Sequence, residues 1–176
     1  CLIMSLALYI FGGSYQTRQF YRGRLQVAVL FVEPEQFAAL SEDSNIEMAG
    51  LSLAAPLKEL RTGRDRLSVS YCDETAFQMY SHELIAGRLP QKETEIAIAS
   101  SYLEKQGIEP ALGQSVSLDL GTDIPEMYTV CGLVKDEDAN NAYEAFVSQA
   151  IVEEYFSGTK IPYSVLIRMA GSEDIG

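Results

Sequence analysis

The alternation of apolar and polar positions changes period several times along this chain, and each change marks an element. Gln26 to Val32 is β-branched and apolar almost throughout, which predicts a buried strand. Pro34 suits the first turn of a helix, and Phe37 and Leu40 stand three apart on its inner stripe. Ile46 to Ala55 predicts a second strand. Lys58 to Arg66 loses the apolar signal and reads as a solvated loop. Leu67 to Cys72 predicts a third strand, after which Asp73 caps a short helix through Tyr80 with Phe77 and Tyr80 on one stripe.

The stretch Ala86 to Val134 is the most ordered in its signals. Gly87 and Pro90 mark a turn with one permissive and one fixed backbone position. Ile96 and Ile98 alternate with small residues in a short strand. Ser101 stands three residues before Glu104, the spacing of a capping box, so a helix over Tyr102 to Gln106 follows, closed by Gly107 in the left-handed conformation. Gly113 turns the chain again. Val116, Leu118 and Leu120 then share one face of a strand, and Tyr128 to Val134 is apolar on both faces. A polar loop, Lys135 to Asn141, leads into Tyr143 to Ile151 and a short helix around Val152 to Phe156 that Gly158 ends. Tyr163 to Met169 is a last strand.

Residues 1–13 open with an uncharged apolar run, Cys1 to Phe11, shorter than the about 20 residues a bilayer span needs. It reads as the outer end of a transmembrane helix. A signal-peptide core, a lipoprotein start at Cys1 and a soluble core helix are the competing readings. Residues 14–25 are polar and helix-forming, with Tyr15, Phe20 and Tyr21 among arginines, and suit a stalk leaving the interface.

Composition narrows the partners. Of 176 residues, 13 are basic and 25 acidic, a net charge of −12 that repels phosphate backbones, so nucleic acid is excluded as a partner class. Cys1, Cys72 and Cys131 form neither a disulfide framework nor metal-ligand spacing; Cys72 and Cys131 sit in strand-like apolar runs and read as buried free thiols.

Chemistry-bearing motifs are scarce. No phosphate-cradling glycine loop and no nucleophile elbow occurs. His82 is the single histidine, and Ala86 occupies the place where a zinc helix needs its second one. Asp136, Asp138 and Asn140 imitate the start of a calcium loop, but Asn141 replaces its glycine and Val147 its bidentate glutamate. These absences point away from an enzyme and from a resident metal or cofactor.

The order of Gly87-Arg88-Leu89-Pro90, Glu95-Ile96-Ala97-Ile98, a helix and glycine, Gly113, and Val130-Cys131-Gly132-Leu133-Val134 resembles the extracytoplasmic domain of FtsX/MacB-type ABC transporter permeases. In that family a glycine-led "G-R-x-P" turn precedes an "E-I-x-I" strand, and a later strand ends "V-x-G-x-V". The resemblance implies an α/β (α+β) fold in two lobes: residues 26–85 and 135–176 as a porter-like outer lobe built from both chain ends, and 86–134 as a smaller mixed lobe inserted between them. The pattern of strands on either side of 86–134 predicts one sheet shared by Gln26 to Leu84 and Tyr143 to Met169. It implies a non-catalytic domain outside the cell membrane, with ATP hydrolysed by a separate cytoplasmic ATPase subunit. The membrane, a second permease copy and an extracellular protein are the further partners implied. Gly87, Pro90, Ser101, Glu104, Gly107 and Gly113 are then structural and hinge candidates, with hinges expected at Glu83 to Pro90 and at Lys135 to Asn141. The alternative is a lipid-anchored or secreted binding module for a peptide or small ligand.

Overall fold

The computed structural model describes residues 27–80, 82–121, 124–135 and 141–170. The apolar run and stalk of residues 1–25, most of the calcium-like loop and the segment after residue 170 lie outside these. The described chain is mixed α/β and divides into two units.

Among the described residues, the first unit takes 27–52, 73–80 and 163–170. Its sheet places β10 (Tyr163–Met169) between β1 (Val27–Leu30) and β2 (Ile46–Leu53). β1 runs antiparallel to β10, with Val27 opposite Ile167 and Leu30 opposite Ser164. Val32, Val165 and Ile167 form a buried cluster. Phe37 and Leu40 of α1 (Pro34–Ser41) pack on it, which is the stripe the spacing predicts. Pro34 opens that helix, and the Gln36 side chain accepts a hydrogen bond from the Glu33 amide at 2.9 Å. Asp73 caps α2 (Glu74–Met79) as its type and place predict. Ala76 N donates to Asp73 Oδ1 at 2.7 Å, and Leu51 N donates to Oδ2 at 2.8 Å, so one carboxylate ties helix to strand. Contact there is close: a Cβ on Gly50 would stand 2.3 Å from the Ala76 nitrogen.

The second unit takes Leu53–Cys72 and His82–Pro162. Its seven-stranded sheet runs β3 (Lys58–Thr62), β4 (Asp65–Ser70), β9 (Ala142–Val147), β6 (Glu95–Ala99), β8 (Glu126–Val134), β5 (Leu84–Gly87), with β7 (Ser115–Leu118) also paired to β8. β4–β9 and β6–β8 are parallel and the remaining pairs antiparallel. All five residues of β6 are buried, and α3 (Ser100–Lys105) and α4 (Gln149–Tyr155) contribute Tyr102, Leu103, Ile151 and Val152 to the apolar interior. Leu120 and the β7 residues Val116 and Leu118 are buried and Ser115 and Ser117 exposed, the predicted alternation.

Several expectations fail here. Residues 86–134 are not a lobe of their own, and the strands of 26–84 and 143–169 do not lie in one sheet: β1 and β2 join β10 in the three-stranded sheet, whereas β3 and β4 join β9 in the seven-stranded one. β3, β4 and β9 all join the sheet of β5 to β8, because β9 presents a row of buried apolar side chains and takes a strand on each edge. The chain accordingly passes between units at 52–53, 72–73, 81–82 and 162–163, not at Glu83 to Pro90 and Lys135 to Asn141. The basic stretch Lys58 to Arg66 is a two-residue hairpin, not a loop. Gly63 at φ +64 makes the turn, and pairing with β4 supplies what the weak apolar signal of β3 lacks. The segment after Tyr143 also leaves the strand earlier than expected, at Val147, and helix α4 starts at Gln149.

Candidate functional site

The densest polar construction in the second unit grows from the turn after β5. Arg88 and Glu95 face each other in a bidentate pair, with Nη1 donating to Oε2 at 2.9 Å and Nη2 to Oε1 at 2.7 Å. The amides of Gln91 and Lys92 donate to the same Oε2 at 3.0 and 3.2 Å. Arg88 Nη1 also donates to the Leu89 carbonyl at 3.0 Å. Glu95 is 8% exposed, and its four donors hold the ionised form so well that its pKa falls to about 2, with the Arg88 hydrogen bonds the largest cause. The turn from Arg88 to Glu95 is therefore wrapped around one carboxylate.

Backbone geometry brings a second strand into the same place. β8 carries one extra residue against β6: Ile96 lies opposite Val130, but Ala97 lies opposite Gly132. The extra residue is Cys131. Its carbonyl accepts from the Arg88 amide at 3.0 Å, and its Sγ lies 3.5 Å from the Arg88 carbonyl. The approach leaves no room for side chains. A Cβ on Gly87 would stand 2.1 Å from the Cys131 oxygen, and one on Gly132 would stand 2.4 Å from the Arg88 oxygen. Partial burial raises the Cys131 thiol pKa, so the sulfur sits there as a neutral thiol.

Of the sequence-predicted residues, Gly87 and Pro90 belong to this construction. Gly87 ends β5 at φ +80, and Pro90 stands within the wrapped turn. Gly113, at φ +85, donates its amide to Val130 at 2.8 Å on the same strand β8. Ser101, Glu104 and Gly107 sit apart, on α3. Ser101 is not the cap: α3 starts at Ser100 with Ala99 before it and no side-chain cap, so the strand runs directly into the helix. Gly107, at φ +73, closes the helix as predicted. Gly107 N donates to Glu104 O at 3.0 Å and Ile108 N to Leu103 O at 2.9 Å, the paired bonds of a Schellman motif. The sequence motif contains Arg88 and Glu95 without showing that they pair, and no local pattern marks the bulge at Cys131. The signal was a carboxylate heading a strand otherwise made of isoleucine and alanine.

Elsewhere in this unit His82 Nε2 lies 2.8 Å from Glu144 Oε2, with its ring edge-on to Phe146. Lys105 Nζ donates to Asn141 Oδ1 at 2.7 Å and to Asp65 Oδ1 at 3.2 Å, and lies over the Tyr143 ring. Among the described residues no three His, Cys, Asp or Glu side chains converge as a metal site, and no helix is long and apolar enough to cross a membrane. Glu95 has its hydrogen-bonding capacity taken up by the turn around it, which suits a structural lock and not an acid–base pair.

No protein-family model matches the chain, and no curated protein matches it. Solved structures do. The chain is similar to the periplasmic region of MacB from Actinobacillus actinomycetemcomitans, at 15% identity and a TM-score of 0.57 over 83% of this chain and 69% of that one. It is also similar to the extracellular domain of the noncanonical ABC-type transporter YknZ from Gram-positive bacteria, at 14% identity and a TM-score of 0.57 over 80% and 74%. The fold is that of a MacB-like periplasmic domain.

Proposed function

We propose that this chain is the extracytoplasmic domain of an ABC transporter permease, and that it couples ATP hydrolysis by a separate cytoplasmic subunit to work outside the membrane: extrusion, lipoprotein or peptide handling, or signalling. The single observation that carries the reading is the shared fold with the periplasmic region of MacB and the extracellular domain of YknZ. The motif order that resembles the family agrees with it, since its arginine and glutamate form the Arg88–Glu95 lock and its glycines, Gly87 and Gly132, allow the strand approach beside it. A domain of this kind needs no catalytic residue of its own. It must keep its packing while load passes through it, and a turn wrapped on a buried carboxylate is suited to that.

The test uses the full-length permease reconstituted with its ATPase in vesicles. Replacing Gln19-Phe20-Tyr21, in the stretch read as a stalk, by three glycines leaves ATPase activity in place and abolishes the coupled transport or signalling output. Unchanged output in that variant, with the stretch shown to be softened, removes the coupling role and leaves a passive docking platform.

A further inference from the structure

We propose that the outer edge of β3 is a docking strand for an extended acidic segment of another polypeptide, which adds to the sheet beside Lys58–Thr62. The inference stands on the hairpin's own geometry and is independent of the transport reading.

β3 ends the seven-stranded sheet, and among the described residues its strand partner is β4 alone. Thr62 and Asp65 close the two-residue turn, so Thr62, Leu60 and Lys58 turn their backbone groups toward β4. Glu59 and Arg61 then turn theirs outward. The register supports this from the other side: the Arg66 amide, opposite Arg61, donates away from β3 to the Asn141 carbonyl at 2.8 Å. Among the described residues the edge thus presents amides and carbonyls that no strand pairs, the template that strand addition uses.

Charge selects the occupant. Four of the chain's 13 basic residues, Lys58, Arg61, Arg64 and Arg66, fall within this nine-residue hairpin of a protein whose net charge is −12. Of the two carboxylates in the same stretch, Asp65 is engaged by Lys105 at 3.2 Å. Glu59 reaches Arg61 and Arg66 only at 3.9 and 3.8 Å, and the Arg61 side chain is 72% exposed. A second copy pairing antiparallel about Leu60 sets Glu59 against Arg61 but leaves Lys58 opposite Thr62 and brings no carboxylate to Arg64, so it answers the charge of this edge less fully than an acidic strand does. A lipid headgroup or nucleic acid meets the cations but has no use for the amide row, and the acidic remainder of the chain repels both. An acidic strand satisfies cations and amides together.

The probe is an octapeptide of alternating glutamate and valine, added to the full chain while backbone hydrogen exchange is followed. The expected result is protection of the Glu59 and Arg61 amides by about tenfold or more, no change at Leu60, and weakening with added salt. The Lys58→Glu, Arg61→Glu, Arg64→Glu triple variant, altered only at solvent-accessible side chains, loses binding by about tenfold or more at unchanged melting temperature. The lysine–valine counterpart does not bind. Equal binding by an octapeptide N-methylated at alternate residues overturns the proposal, since that probe keeps the charge and loses the ladder. Absence of protection at Glu59 and Arg61, or binding to anionic vesicles in place of the peptide, overturns it too.

Discussion

Arg88 grips Glu95 through both terminal nitrogens, at 2.9 and 2.7 Å, across a turn of only six intervening residues. The contact makes stability depend on acidity. The Glu95 pKa is lowered from 4.5 to about 2 in the folded protein, so the contribution is complete above the unfolded value and is lost as pH falls from about 4.5 through about 2. The shift sets an upper bound of about 3 kcal/mol, and the 45% exposure of the Arg88 side chain reduces the expectation to about 1–2 kcal/mol. Urea unfolding at pH 7 and at stepwise lower pH measures it. Glu95→Gln should unfold more easily at pH 7 and lose the acid-side slope assigned to this group; an unchanged slope refutes the assignment.

Asp73 gives the second prediction. Its two oxygens accept separately from Ala76 N and Leu51 N. Asp73→Ala leaves both amides unpaired and costs about 2–3 kcal/mol, whereas Asp73→Asn keeps one acceptor and costs about 1 kcal/mol. Equal losses for the two variants, by chemical denaturation, contradict the two-way tie.

A third concerns the buried hydroxyl pair of the first unit, where Ser52 Oγ and Ser164 Oγ lie 2.8 Å apart. Ser52→Ala or Ser164→Ala removes this bond and costs about 1 kcal/mol each. The double variant costs less than their sum, because the shared bond is lost only once. Strict additivity in the double-mutant cycle shows that the pair does not interact.

What was legible in the chain follows the range of the forces involved. Pro34, Asp73, Gly107 and the strand alternation at Val116, Leu118 and Leu120 act within a few residues, and the structure places them as the spacing predicts. The strand partners of β9 lie far away in sequence. β4 is some seventy residues upstream, and no local pattern records that Leu67 meets Tyr143 or that Ile96 meets Val147. β3 shows the same limit in reverse. Its own sequence is polar and basic, and it becomes a strand because the turn at Gly63 folds it onto β4. Arg88 and Glu95 were visible as a motif. Their lock was not, because it depends on a turn closing over seven residues and on the bulge at Cys131.

The last prediction separates two meanings of a glycine. Gly87 reads from sequence as a hinge, a place where backbone rotation is free. In the structure it pairs with Gly132 across β5 and β8, and a Cβ there would stand 2.1 Å from the Cys131 carbonyl oxygen and 2.8 Å from Leu112 Cδ2. Gly113 has a similar φ of +85 but open space around it. Substitution by alanine therefore costs about 1–2 kcal/mol at Gly113, the left-handed penalty alone. At Gly87 it adds a backbone clash that only separation of β5 from β8 relieves, for a total of about 4 kcal/mol or more. Denaturation of Gly87→Ala beside Gly113→Ala measures the gap. Hydrogen exchange localises it, with the Arg88 amide, which donates to Cys131, losing protection in the first variant only. A Gly87→Ala protein as stable as Gly113→Ala restores the hinge reading, because it shows a backbone free to move aside.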